Sequence, residues 1–130
     1  MIAETVRRLL RLLKYKKHFI VRYEGKLPTW NTIYEGRHWT KRYSLQKEYE
    51  KLLTILLLEA KVKPVKEFVI VAFYNDNKDA DNITVIIKWM VDVMKGKYVD
   101  NDDSRFYKGL SMFYDPTMKK KSIEIHILGQ

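Results

Sequence analysis

Eight of the chain's 16 acidic residues fall within residues 67–103, and four of these carry a spacing that suits chemistry. Asp79 and Asp81 stand two apart where an apolar run gives way to a helical pattern. If the backbone there is still extended, both side chains leave on the same side. Asp102 and Asp103 stand just before a β-rich segment that is expected to pair beside residues 67–74. That pairing would bring three or four carboxylates to one end of a sheet. Hard oxygen donors gathered this way suit Mg²⁺, with Mn²⁺ as a substitute, and need cations to offset their repulsion. In a chain of 130 residues and formal net charge +9, they point to metal-assisted phosphodiester hydrolysis. Helix capping competes with this reading. An Asp79 or Asp81 N-cap stabilises a helix by about 0.5–2 kcal/mol without any metal, but it accounts for one aspartate and not the set. An EF-hand is excluded, because Ala80 stands where the loop from Asn75 needs glycine and Ile86 where it needs glutamate.

The charge is unevenly spread. Residues 1–66 hold 16 basic and 6 acidic side chains, residues 67–103 hold 4 and 8, and residues 104–130 hold 5 and 2. A basic body attracts a polyanion such as nucleic acid, and an acidic island within it can hold metal ions against a phosphate backbone. A second candidate surface is the long polar stretch from Gly25 to Arg42. There Arg37, Lys41 and Arg42 would meet phosphates and Tyr34 or Trp39 would stack on exposed bases. The competing expectation is that Trp30, Tyr34 and Trp39 fold back onto the core. Other chemistries are weak. There is no cysteine, hence no disulfide framework or thiolate site. His18, His38 and His126 lack metal-ligand spacing, and His126 reads as a surface histidine. The scattered glycines form no phosphate loop, so no nucleotide cofactor is expected. The longest apolar stretch, Leu52–Leu58, is far short of the roughly 20 residues of a bilayer span. The expectation is a soluble cytoplasmic protein that does not engage a membrane.

Periodicity supplies the elements that must position these residues. Residues 2–14 read as a basic amphipathic helix, with Val6, Leu9, Leu10 and Leu13 on one face and Arg7, Arg8, Arg11 and Lys14 on the other. Residues 17–24 alternate as a strand. Residues 44–61 read as a helix with Ser44 as N-cap, and residues 67–74 as a buried strand. A helix over 80–95 ends at Gly96. Strands follow over 105–114 and 122–128, separated by a turn at Asp115–Met118. The order β-α-β-α-β-β predicts an α/β (α+β) domain over residues 17–130, a small mixed sheet of about four strands with two main helices, preceded by a basic helical extension over residues 1–16.

Asp79-Ala80-Asp81-Asn82 opening a helix, then Asn101-Asp102-Asp103-Ser104 before a strand, resembles the RusA family of Holliday junction resolvases. Leu27-Pro28-Thr29-Trp30-Asn31, with Tyr34 and a basic stretch leading into a long helix, is similar to that family's opening segment. The resemblance spans about residues 18–128. It implies a homodimeric, Mg²⁺-dependent endodeoxyribonuclease that binds four-way DNA junctions and nicks two strands symmetrically, in a bacterial or phage-infected cell. Position by position, it makes Asp79, Asp81 and Asp103 catalytic metal ligands, with Asp102 beside them. The family's lysine falls on Val85, so Lys88, three residues further along the helix, or Lys78, just before the motif, would supply the positive charge. The alternative is a non-catalytic module for branched DNA or RNA with a degenerate site.

Overall fold

A computed structural model of the chain describes residues 2–34 and 39–130, apart from the side chains of Thr32, Tyr34 and Trp39. Residues Ile2–Leu13 form helix α1, whose apolar stripe turns inward. Val6 is buried, while Ile2, Leu9, Leu10 and Leu13 pack around it. Arg7, Arg8, Arg11 and Lys14 stay exposed on the other face. Lys14 adopts a left-handed backbone (φ 58°), and the Tyr15 N–H reaches back to the Leu10 carbonyl at 3.0 Å, which ends the helix. The Tyr15 hydroxyl then donates to Glu67 at 2.6 Å and ties this corner to the start of the sheet.

Strand β1 (Lys17–Glu24) follows, then the short helix α2 (Trp30–Tyr34) and the long helix α3 (Trp39–Glu59). Two expectations are corrected here. The stretch expected as a loop contains α2, because Ile33 is buried and Trp30 packs against the core. Helix α3 begins at Trp39 and not at Ser44. Nothing between Trp39 and Ser44 is proline or glycine, so the helix extends past the serine, which costs little inside a helix. Leu53 and Leu57 are fully buried on its inner face, each contributing roughly 1.5–3 kcal/mol by leaving water.

Strand β2 (Phe68–Asn75), helix α4 (Ala80–Met94), strand β3 (Tyr107–Tyr114) and strand β4 (Ser122–Gly129) complete the chain. Ile83, Val85, Ile86, Ile87, Met90 and Met94 bury the inner side of α4, and Gly96 at φ 81° takes the left-handed turn beyond it. The sheet order is β1-β4-β2-β3. Strand β4 is antiparallel to both β1 and β2, whereas β3 runs parallel to β2. The result is a small α+β domain on a four-stranded mixed sheet. Among the described residues, no helix is long and apolar enough to cross a membrane.

Both faces of the sheet are covered. Ile123, Ile125 and Ile127 of β4 enter the larger core with α3 and α4. Leu128, Val71 and Phe73 face the other way and meet Val6 and Tyr15. Because α1 covers this second face, the polar-looking side of β4 is not a solvent side. His126 is only 3% exposed, which overturns its expected place at the surface.

Candidate functional site

Asp79 and Asp81 lie where β2 hands the chain to α4. Asp79 is the N-cap residue of α4, with extended backbone (φ −67°, ψ 144°), yet its carboxylate makes no capping hydrogen bond. Its carbonyl accepts the first helical N–H groups, from Asn82 at 3.1 Å and Ile83 at 3.3 Å. Asp81 sits in the first turn, exposed, where it accepts the Asn82 N–H at 3.1 Å. A negative charge is favoured at this end of a helix.

The same turn holds a carboxylate that the motif reading did not select. The Asp76 side chain is 3% exposed, its Oδ1 lies 3.7 Å from the Lys78 ammonium, and its Oδ2 is buried without a hydrogen bond among the described residues. Its burial is a tertiary effect with no signature in the local sequence. The Tyr74 hydroxyl, which donates to the Lys78 carbonyl at 3.2 Å, registers the local field. Burial first, then the charges of Asp79 and Asp76, raise its pKa above the ordinary tyrosine value.

The segment carrying the upstream motif meets this turn. The Trp30 indole N–H donates to the Thr84 hydroxyl at 3.1 Å, and that hydroxyl donates to the Asp81 carbonyl. Sequence positions 54 apart are thus brought together at the start of α4. Lys41 is exposed on the first turn of α3, and Arg42 beside it is half-buried. Arg37 and the Trp39 side chain lie outside the described residues.

Asp102 and Asp103 are elsewhere. The Phe68 N–H bonds the Phe106 carbonyl, and Phe68 pairs with Tyr107, so the residues before β3 lie at the start of β2. Asp79 and Asp81 lie beyond its end, where Tyr74 pairs with Tyr114. At about 3.3 Å per residue, the two pairs are separated by roughly 20 Å along the strand. Helix α4 accounts for this, because it carries the chain back to the start of β2 before β3 begins. Among the described residues, no three histidine, aspartate or glutamate side chains form a metal-ligand set. The four aspartates therefore do not fit one shared ion within a single chain, contrary to the expectation of one cluster.

At the far end, cations of the chain itself engage both aspartates. Asp102 lies 3.7 Å from Lys95 and 3.9 Å from Lys88. Asp103 receives a two-pronged contact from Arg105, at 3.1 Å and 2.8 Å. These bonds and the Arg105 backbone N–H hold the Asp103 carboxyl down at about 2. Lys88 donates chiefly to Asp92, at 2.7 Å, and this bond raises its pKa. Lys88 thus belongs with Asp102 and not with Asp79 and Asp81, from which the seven-residue rise after Asp81 removes it by about 10 Å. Val85 is fully buried in the core, so its position turns away from the carboxylates.

A histidine pair forms beneath α1. His18 Nε2 and His126 Nδ1 are 2.7 Å apart, and His126 Nε2 is 2.9 Å from Glu124. A carboxylate only accepts, so His126 Nε2 carries a hydrogen. In neutral His126 the Nδ1 then accepts from His18. Burial lowers the pKa of both rings. An adjoining cavity of about 380 Å³ is lined by residues including Val6, Leu10 and Arg22. These histidines are far apart in sequence, and only the pairing of β1 with β4 unites them, at Ile20 opposite His126. Comparison of the chain with protein-family models and with curated proteins finds no match.

Proposed function

We propose that this chain is a RusA-like, metal-dependent endodeoxyribonuclease acting on four-way DNA junctions, with Asp79 and Asp81 as its first metal ligands. The observation that carries this reading is the Asp79 carboxylate. It occupies the N-cap position but does not cap, so the ordinary structural use of an aspartate there leaves its oxygens available. The basic charge, +9 overall, supports a polyanionic substrate. The contact between Trp30 and Thr84 supports a common site for the two sequence motifs. A bound Mg²⁺ would acidify a water and offset charge on the phosphate. Asp81→Asn tests the assignment. It should abolish cleavage of a junction while leaving junction affinity within about threefold and the melting temperature unchanged. Full cleavage by Asp81→Asn contradicts the assignment.

A second reading has a specific observation in its favour. The separation of Asp79 and Asp81 from Asp102 and Asp103, with Val85 buried, suits a module that binds branched DNA without cutting it. Salt-sensitive junction binding with no cleavage in Mg²⁺ or Mn²⁺ is its signature.

A further inference from the structure

The cavity beneath α1 lies on the face of the sheet opposite α3 and α4. Its volume, about 380 Å³, is that of a small-molecule site, and such sites are mostly apolar with a few placed polar groups. Ile2 and Leu10 of α1 and Ile20 of β1 supply apolar walls, and each is only half-buried. Among the described side chains of α1, Val6 alone is buried. The helix therefore leaves apolar surface on this side, and an occupant that covered it would gain by removing it from water.

The polar wall is held in place and carries surplus positive charge. Arg7, Arg22, Glu124, His18 and His126 line it. Glu124 has both oxygens engaged, one with His126 at 2.9 Å and the other with Arg22 Nε at 3.5 Å. Arg7 forms no ion pair among the described residues, and its Nε–H reaches the Ala3 carbonyl at a long 3.4 Å. Its neighbour Arg8 differs, because it meets Glu4 at 2.9 Å. With both imidazoles uncharged, as burial favours, two guanidiniums face one carboxylate.

We propose that this cavity binds a small monocarboxylate with an unbranched apolar body. The chain lies against Ile2, Leu10 and Ile20, and the carboxylate sits between Arg7 and Arg22. A guanidinium takes a carboxylate through two parallel N–H···O bonds, so the head group supplies the anion that Arg7 lacks. An ammonium head would meet two cations, with Glu124 already engaged. A very short acid would leave the apolar walls uncovered.

Octanoate is the probe, with butyrate, octylammonium and octan-1-ol as controls. Titrated near pH 7.5 into isotope-labelled protein followed by NMR, octanoate should saturate with a dissociation constant at or below about 1 mM. The amide signals of Ala3, Arg7 and Ile20 should move more than those of α4. Each control should bind at least about tenfold more weakly. Arg7→Gln should weaken octanoate about fivefold, the worth of a partly exposed ion pair. Arg8→Gln removes the same charge from the same helix and should leave the affinity within about twofold. No saturation by about 10 mM, a control that binds as well as octanoate, or shifts centred outside α1 and β1 would each overturn the proposal. Equal losses in the two variants would also overturn it, by showing attraction to net charge alone. Arg7 and Arg8 are both exposed, so both variants should keep the wild-type melting temperature; if one does not, the control ligands decide. None of these readouts involves DNA, so this site stands or falls apart from the nuclease reading.

Discussion

At the scale of single residues, the polar groups that packing brings together are the most informative. His18 and His126 share one hydrogen bond, with Glu124 beyond it and Arg22 3.5 Å from that carboxylate. Both rings have pKa values lowered below their ordinary 6.5, chiefly by burial. Below about pH 6.5 the unfolded chain therefore takes up protons that the folded chain resists. The stabilisation is complete above that pH and is lost as the pH falls from there through the lowered folded values. The melting temperature should drop between pH 7.5 and pH 5.5. His126→Gln, which keeps a donor for Glu124 and an acceptor for His18, should flatten that slope, and equal slopes would show that the pair is not responsible. Tyr107 poses a different question. Its ring stacks on Phe68 with centroids 4.8 Å apart, but its hydroxyl is buried without a hydrogen-bond partner among the described residues. A buried hydroxyl without a hydrogen bond is unfavourable. Tyr107→Phe should therefore leave stability unchanged or raise it by about 1 kcal/mol in chemical denaturation, and a loss would reveal an unseen partner.

At the scale of elements, α1 shows how far a sequence pattern carries. Its apolar stripe was legible from the spacing of Val6, Leu9, Leu10 and Leu13. Its target was not, because the residues it covers, Val71, Phe73 and Leu128, sit in strands that read as parts of one core. Val6→Ala should cost roughly 1.5–3 kcal/mol of unfolding free energy, whereas replacing exposed Arg8 should cost little. Strand β1 and the turn at Asp115 were equally legible, the first from alternation. The turn is closed by the Asp115 carboxylate, which accepts the Thr117 N–H at 2.9 Å and the Thr117 hydroxyl at 2.6 Å. The start of α3 was misplaced because a serine cap is only a weak signal when the preceding residues also favour helix. The position of Asp102 and Asp103 follows from the order of the elements alone. A helix joining two neighbouring strands makes them parallel. Residues after the first strand and residues before the second must then lie at opposite ends. By contrast, the burial of Asp76 and the meeting of His18 with His126 arise only when distant segments pack.

At the scale of the whole molecule, the account joins two features: a basic chain and two carboxylates at the start of α4, of which Asp79 makes no capping hydrogen bond. Under the nuclease reading, this charge would draw the protein to a polyanion, and the attraction should fall as salt rises. Under the same reading, a two-fold assembly would match the symmetry of a four-way junction and offer two equivalent sites. The central claim is the cleavage itself. The most direct test incubates the purified protein with a labelled four-way junction and a matched linear duplex, in Mg²⁺, Mn²⁺ or EDTA. The account predicts paired nicks in the junction alone, in either metal and not in EDTA. Tight junction binding without nicks in either metal would contradict it and leave the protein as a binding module for branched DNA.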